Sequence, residues 1–136
     1  MEVIAEHLGE SQFEVRARGH KVVCDQPLEN GGYDEGMTPP EFLLGSLATC
    51  AAYYAAQYIK SRKLRPDGLQ VRVTAEKAQQ PARLRSFTIE VIAPAVAAEH
   101  QAGLTRAAKA CLIHNTLLNR PEIEVAVTTG ALAKAA

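Results

Sequence analysis

Three cysteines are the residues of this sequence best suited to chemistry, and one of them lies inside its most apolar stretch. They are Cys24, Cys50 and Cys111, an odd number with no Cys-x-x-Cys pair among them. This pattern is unlike that of a disulfide scaffold, and it lacks the closely spaced ligand pairs of a structural zinc site. The chemistry left open is that of a reactive thiol, and the alternative is that each cysteine is a small buried hydrophobic residue.

Cys50 would need help from elsewhere in the fold to become a nucleophile. An ordinary thiol has a pKa of about 8.5, so only a few per cent of it is thiolate near neutral pH, and apolar burial lowers that fraction further. Each unit of downward shift in pKa requires about 1.4 kcal/mol of preferential stabilisation of the thiolate. No positively charged side chain lies within two helical turns of Cys50 in the sequence. We therefore expect a cation or a hydrogen-bond donor from another element.

The element that carries this cysteine is predicted to be one long helix, from Thr38 to Lys63. Thr38 suits the N-cap, Pro39 suits the first helical position, and Glu41 completes a capping box. No side chain from Phe42 to Ile59 is charged, which predicts a helix that is buried on nearly every face. The same run is short for a membrane span and is interrupted by small and polar residues, so we expect no membrane insertion.

Runs of alternating apolar and polar residues predict antiparallel strands around this helix. The predicted strands are residues 2–8, 11–18, 20–25, 69–77, 84–92 and 122–128, with hairpins between the first two and between the fourth and fifth. A second, amphipathic helix is predicted over residues 95–112. This order predicts a single α+β domain over residues 1–136, with antiparallel sheets packed on two helices. One small sheet cannot cover so apolar a helix, so we expect a homodimer that hides its remaining face.

The charge pattern indicates which partners to exclude. Fifteen basic and fifteen acidic residues cancel, and no basic stripe is available to bind phosphates, so nucleic acid is not an expected partner. The N-terminus has no cationic segment followed by an apolar one, as a secretory signal would have. A cytoplasmic location is therefore the default expectation.

Two segments give the chain a family resemblance. TPPEFLLGSLATC at residues 38–50 and CLIHNTLLNRPEIEV at residues 111–125 resemble the OsmC/Ohr family of thiol-dependent peroxide reductases. The first resembles the family's helix with the reactive cysteine, and the second resembles the segment with its second cysteine. With the strand and helix order between them, the resemblance covers nearly the whole chain. It implies an OsmC-like fold, in which antiparallel sheets pack on two central helices in an intertwined homodimer.

The activity that the resemblance implies is the reduction of organic hydroperoxides without a metal or a bound cofactor. Cys50 would attack the O–O bond and become a sulfenic acid, and Cys111 would then condense with it to a disulfide. An external dithiol reductant would restore both thiols, and Leu43, Leu44 and Leu47 would help to line an apolar pocket. One alternative is an OsmC-fold redox sensor or small-molecule-binding protein without efficient peroxidase activity. Another is a structural dimer whose thiols are ordinary core residues.

The resemblance also supplies candidates for the cation beside Cys50. In that family an arginine from an N-terminal strand has this role, held by a glutamate at the start of the cysteine helix. Arg18 is the best match for the arginine, with Arg16 in reserve, and Glu41 matches the glutamate. Glu41 precedes Cys50 by nine positions, or about 13.5 Å of helix, so it would act through the arginine or from the partner subunit. Its alternative role is that of a capping residue alone.

The surroundings of the second cysteine leave two roles open. Cys111 stands at the end of the predicted second helix, where the helix dipole disfavours a thiolate, which suits the resolving role. The family usually has a proline after this cysteine, and here Leu112 takes its place. His114 would act either as a base or as a hydrogen-bond partner of a helix-end carbonyl. Cys24 has no counterpart in the family pattern and is expected to be inert.

Overall fold

The computed structural model describes residues 1–130 and has the predicted α+β architecture. In chain order its elements are β1 (Ile4–Gly9), β2 (Gln12–Ala17), β3 (His20–Cys24), α1 (Pro39–Ser61), β4 (Gln70–Gln79), β5 (Ala82–Ile92), α2 (Gln101–Lys109) and α3 (Leu112–Leu118). Short 3-10 turns at Leu28–Asn30 and Ala98–His100 precede α1 and α2. The five predicted strands before residue 93 are therefore confirmed, with small shifts at their ends.

The strands form two separate antiparallel sheets. β1, β2 and β3 make a three-stranded sheet in chain order, and β4 and β5 make a long hairpin. In the hairpin Val73 lies opposite Ile89, and the apolar residues of both strands are half-buried while most of the polar residues between them are exposed. The alternation in the sequence thus places one face of the hairpin against the helices.

The long helix α1 begins as its capping box predicts. The Glu41 carboxylate accepts hydrogen bonds from the Thr38 backbone N–H at 2.7 Å and from the Thr38 hydroxyl at 2.8 Å. The helix ends at Ser61, where Arg62 follows as the C-cap. In the described chain, no helix has the length and the hydropathy that crossing a bilayer requires.

Only one face of α1 is buried, so the prediction of burial on nearly every face is wrong for a single subunit. The buried residues recur every fourth position and pack against β4 and α2; they are Leu47, Ala51, Ala55 and Ile59. On the opposite face Tyr53 is 60% exposed. The physical reason is that the hairpin and α2 together reach only one side of the helix.

The segment after Pro94 also differs from its prediction. Instead of one helix over residues 95–112, the chain forms α2, breaks at Ala110 and Cys111, and starts again as α3. Cys111 has an extended backbone with φ −57° and ψ 132°, which ends one helix and caps the next. A helical periodicity cannot reveal such a break when both halves keep similar apolar spacing.

The predicted last strand, residues 122–128, pairs with no strand of the described chain. Its alternating residues Ile123, Val125 and Val127 are 81%, 86% and 80% exposed. The segment has the alternating apolar residues of a strand, but no strand among residues 1–130 pairs with it. The prediction of a strand within the subunit is therefore wrong.

A buried carboxylate fixes the loop between β3 and α1. Asp25 is fully buried and accepts hydrogen bonds from the backbone N–H groups of Gln26, Tyr33 and Glu35 at 2.7 to 3.1 Å. The side chain of Gln12 on β2 adds a fourth at 3.2 Å. Burial opposes ionisation of Asp25, but these bonds outweigh it and lower the pKa of the carboxyl group. The loop that leads into α1 is thereby tied to the first sheet.

Candidate active site

The packing of α3 on α1 brings two cysteines together that are far apart in the sequence. Cys50 lies in the middle of α1 and is half-buried, whereas Cys111 is fully buried at the start of α3. The two thiols are close enough for each to shift the pKa of the other, and neither forms a disulfide. The fold therefore unites the two cysteines on which the family resemblance depends.

The break between α2 and α3 sets the orientation of Cys111. As the N-cap of α3, its Sγ atom accepts a hydrogen bond from the backbone N–H of His114 at 3.4 Å. The first N–H groups of any helix have no partner within that helix. In α3 two of these groups, those of Ile113 and Leu112, lie near Cys50 and lower the pKa of its thiol. The first turn of α3 therefore orients the Cys111 thiol and also favours the thiolate of Cys50.

These donors decide the protonation of Cys50. Burial alone raises the pKa of its thiol, because it disfavours the charged form. The hydrogen bonds from the Cys111 thiol and from the N–H groups of Ile113 and Leu112 outweigh burial and lower the pKa of Cys50 below that of an ordinary cysteine. The expected help from another element is present, but it comes from a thiol and backbone amides rather than from a cation.

Cys111 has the opposite tendency. Burial raises the pKa of its thiol, and the hydrogen bond with Cys50 raises it further. The N–H groups of His114 and Ile113 act in the other direction but do not overcome these two effects. The pair thus combines one thiol whose pKa is lowered with one whose pKa is raised.

The residues predicted to supply a cation lie elsewhere in the subunit. Arg18 is exposed in the turn between β2 and β3, with φ 56°, and Arg16 forms ion pairs with Glu6 and Glu14. Among residues 1–130, no hydrogen bond or ion pair joins either arginine to Cys50 or to Glu41. The carboxylate of Glu41 instead accepts hydrogen bonds from Thr38. The catalytic roles of Arg18 and Glu41 therefore stay predictions.

A broad groove of about 1160 Å³ lies between α1, β5, α2 and α3, and neither Cys50 nor Cys111 is among the described residues that line it. Its floor includes Leu43 and Leu47, two of the three leucines predicted to line a pocket, together with residues of β5 and α2. Three cationic side chains, Arg83, Arg85 and Lys109, also line it, and no carboxylate of residues 1–130 does. His114 of α3 borders the groove as well.

His114 and the α3 amides are the parts of this site that sequence reasoning missed or left open. The histidine is half-buried, and its Nδ1 atom is buried without a hydrogen-bond partner among the described residues. The segment from Cys111 to Asn115 was predicted to include the end of a continuous helix, whereas in the structure Cys111 is the N-cap of the separate helix α3. Cys24 lies on β3 rather than on the helices that hold the other two cysteines. Burial raises the pKa of its thiol, and the negative charge of Asp25 raises it further.

Comparison with known families gives a match over most of the chain. The sequence profile of the family described as OsmC-like protein matches residues 32–126, which include both Cys50 and Cys111. A search of curated proteins finds no match.

Solved structures with the same fold cover most of this chain. A Psychrobacter arcticus protein, provisionally named an osmotic stress induced and detoxification response protein, is 19% identical with a TM-score of 0.75 over 84% of this chain and 85% of that one. An OsmC like protein from Mycoplasma pneumoniae is 21% identical with a TM-score of 0.72 over 88% and 87%. An organic hydroperoxide resistance protein OsmC from Legionella pneumophila is 16% identical with a TM-score of 0.59 over 86% and 89%. At these identities the likeness establishes the fold.

Proposed function

Because the chain belongs to the OsmC-like protein family and holds two of its thiols in contact, we propose that it reduces organic hydroperoxides through Cys50 and Cys111. The observation that carries the proposal is that α3 packs on α1 and brings Cys111 close to Cys50, with the pKa of Cys50 lowered and that of Cys111 raised. A peroxidase of this kind needs a thiolate to attack and a second thiol close enough to form a disulfide with it.

The proposed reaction has two steps. The Cys50 thiolate attacks one peroxide oxygen, the O–O bond breaks, and the products are a Cys50 sulfenic acid and an alkoxide that takes up a proton to become an alcohol. The Cys111 sulfur then attacks the sulfenic sulfur, water leaves, and the disulfide forms. An external dithiol returns both cysteines to thiols by exchange, and the cytoplasm is the proposed setting because thiols are kept reduced there.

We also propose that the working form is a homodimer. The chain exposes 10799 Å² of surface, whereas a folded monomer of this mass exposes roughly 6,900 Å². Obligate dimers bury 2,000 to 5,000 Å² or more in total, or about 1,000 to 2,500 Å² from each subunit, so an interface at the upper end of this range would cover more than half of the excess. The uncovered face of α1 and the unpaired residues 121–129 are the surfaces that such an interface would take up.

We propose that Arg18 and Glu41 act across the interface of the dimer. Since neither contacts Cys50 within the subunit, their proposed action is on the thiol pair of the partner subunit. An arginine there would add to the hydrogen bonds that already favour the thiolate. Arg18→Ala should then raise the pKa of Cys50 as measured by the pH dependence of alkylation, and an unaltered profile would remove Arg18 from the site.

The test of the activity is consumption of cumene hydroperoxide in the presence of a dithiol. Cys50→Ser should reduce the rate at least a hundredfold, because no other described thiol has a lowered pKa. Cys111→Ser should permit one rapid turnover and then stop or slow, because the sulfenic acid lacks its partner. Cys24→Ser is the matched control and should keep the rate. Consumption that is unaffected by Cys50→Ser would reject Cys50 as the nucleophile, and no consumption by the unaltered protein would favour a binding or structural role.

A further inference from the structure

The segment of residues 121–129 has one apolar side and one acidic side. The apolar side chains at its alternating positions are all at least 80% exposed; they are Ile123, Val125 and Val127. Glu122 and Glu124 alternate with them, so in an extended chain the two carboxylates point to the opposite side. Within residues 1–130 neither carboxylate forms an ion pair. Such a segment fits a site that has an apolar floor and a cationic rim.

The groove between α1, β5, α2 and α3 has these complementary properties. Its floor is apolar and includes Leu47, Phe87, Ile89 and Leu104. In the described chain, every strand residue that lines the groove belongs to β5, and β5 pairs with β4 alone. The groove therefore runs along the side of β5 that has no neighbouring strand. The nine residues of the segment span about 30 Å when extended, which is close to the length of the eleven-residue strand β5.

The cationic side chains of the groove lie at one of its ends. Arg83 and Arg85 are near the start of β5, and Lys109 is the last residue of α2. The connection from the end of β5 to the start of α2 lines the opposite end, and both elements run along the groove. Arg85 is paired with Glu76 at 2.8 Å, but within residues 1–130 neither Arg83 nor Lys109 has an ion-pair partner. Two positive charges at this end are thus available to carboxylates.

The segment of the same subunit does not lie in this groove. Leu117 and Leu118 at the end of α3 line it, but the chain beyond them turns away, because Val125 is 86% exposed. A second copy of the chain has the same segment and the same groove. Two copies related by a twofold axis would therefore form the contact twice.

We propose that residues 121–129 of a second copy occupy this groove, with their apolar side chains on its floor and Glu122 and Glu124 beside Arg83 and Lys109. Both carboxylates lie at the start of the segment, so the segment runs in the same direction as β5. This inference rests on the homodimer of the proposed function and names a contact that holds it together. Burial of the apolar side chains stabilises the contact, and the charges fix its position and direction.

Reversal of the charges on either side of this contact tests the inference. Glu122→Lys with Glu124→Lys places cations beside cations, and Arg83→Glu with Lys109→Glu places carboxylates beside carboxylates. The dimer of each double variant should have a dissociation constant about tenfold or more above that of the unaltered protein in sedimentation experiments. The matched control, Glu10→Lys with Glu29→Lys, makes the same change of net charge at exposed positions outside the groove and should stay dimeric.

An equal mixture of the two double variants decides whether the contact joins two copies. In a dimer of unlike chains, each segment meets a groove of opposite charge, so the mixture should dimerise as the unaltered protein does. Native mass spectrometry identifies this dimer by its mass. A chain with all four substitutions should also dimerise, because both sides of each contact are reversed, and it shows that the fold accepts the changes.

The remaining outcomes contradict the inference in distinguishable ways. Double variants that dimerise as the unaltered protein does would overturn the groove contact and leave the proposed dimer standing. A four-substitution chain that dimerises, with a mixture that does not, would assign the contact to a single subunit and also overturn the inference. A monomeric unaltered protein would overturn both the dimer and the contact. Consumption of cumene hydroperoxide by the same samples tests the proposed chemistry separately.

Discussion

At the residue scale, the reactivity of Cys50 depends on the donors around its sulfur. Burial of the thiol works against ionisation, and the Cys111 thiol and two backbone N–H groups work for it. The proposed roles, Cys50 as the attacking and Cys111 as the resolving cysteine, follow from the difference in their pKa. Exposure does not assign them, since both residues are at least partly buried. The site would thus gain its thiolate without a cationic side chain from its own subunit.

Removal of the Cys111 thiol tests this account of Cys50. In Cys111→Ala the side-chain donor is lost while the backbone amides remain, so the pKa of Cys50 should rise. The thiolate would then appear at higher pH, and alkylation of Cys50 by iodoacetamide should be slower at pH 7 and approach the unaltered rate in alkaline solution. Cys24→Ala is the matched control. An identical pH profile for Cys111→Ala would contradict the hydrogen bond between the thiols.

The residues predicted from the sequence were those whose chemistry is rare. Cys50 and Cys111 could be selected because thiols are few and because their motifs resemble a family. The amides that hydrogen-bond Cys50 could not be selected, since every residue except proline has one. Their position depends on a helix break at Cys111, which the apolar spacing of residues 95–112 conceals. A search of residue types therefore finds the candidate nucleophile but misses the backbone groups that lower the pKa of its thiol.

At the scale of elements, the short helix α3 determines the geometry of the site. It packs on α1, and Cys111 is its N-cap. The N–H groups of Leu112 and Ile113 in its first turn lower the pKa of Cys50. α1 supplies a rigid position for Cys50 through its capping box and its buried face. Helix α1 could be predicted because its capping box and its composition are local features of the sequence. Helix α3 could not be predicted as a separate helix, because the break before it is visible only in the structure.

Leu112→Pro is a precise test of the amides. Leu112 is the first residue of α3, where proline is well tolerated because the missing N–H has no partner inside the helix. Cys111 before it already has the extended backbone that a following proline favours. The substitution should therefore keep the fold but remove one donor to Cys50, raising the pKa of Cys50 and slowing its alkylation at pH 7. Leu112→Ala keeps the N–H and should leave the pH profile unchanged.

At the scale of the whole molecule, the subunit leaves apolar surface uncovered, and the proposed dimer would cover it. Tyr53 on α1 and the alternating Ile123, Val125 and Val127 are all at least 60% exposed. The sequence indicated a dimer through the apolar character of α1, and the errors about α1 burial and the last strand have this common origin. In the proposed dimer a second copy would complete both, which one chain by itself does not do.

A charge placed on the last segment tests the dimer. Val125→Asp puts a carboxylate among the exposed apolar side chains and should convert a dimer into a monomer in sedimentation experiments, because burial of an unpaired charge is costly. Glu124→Gln, at the neighbouring position of opposite side-chain direction, is the control and should stay dimeric. A monomeric unaltered protein at micromolar concentration would contradict the proposed assembly.

The measurement that tests the central claim most directly is peptide mapping after one equivalent of cumene hydroperoxide, with free thiols blocked before digestion. The account predicts one intrachain disulfide between the peptides of Cys50 and Cys111, with Cys24 recovered as a blocked thiol. Recovery of Cys50 and Cys111 as unmodified thiols, or a disulfide that involves Cys24, would contradict it.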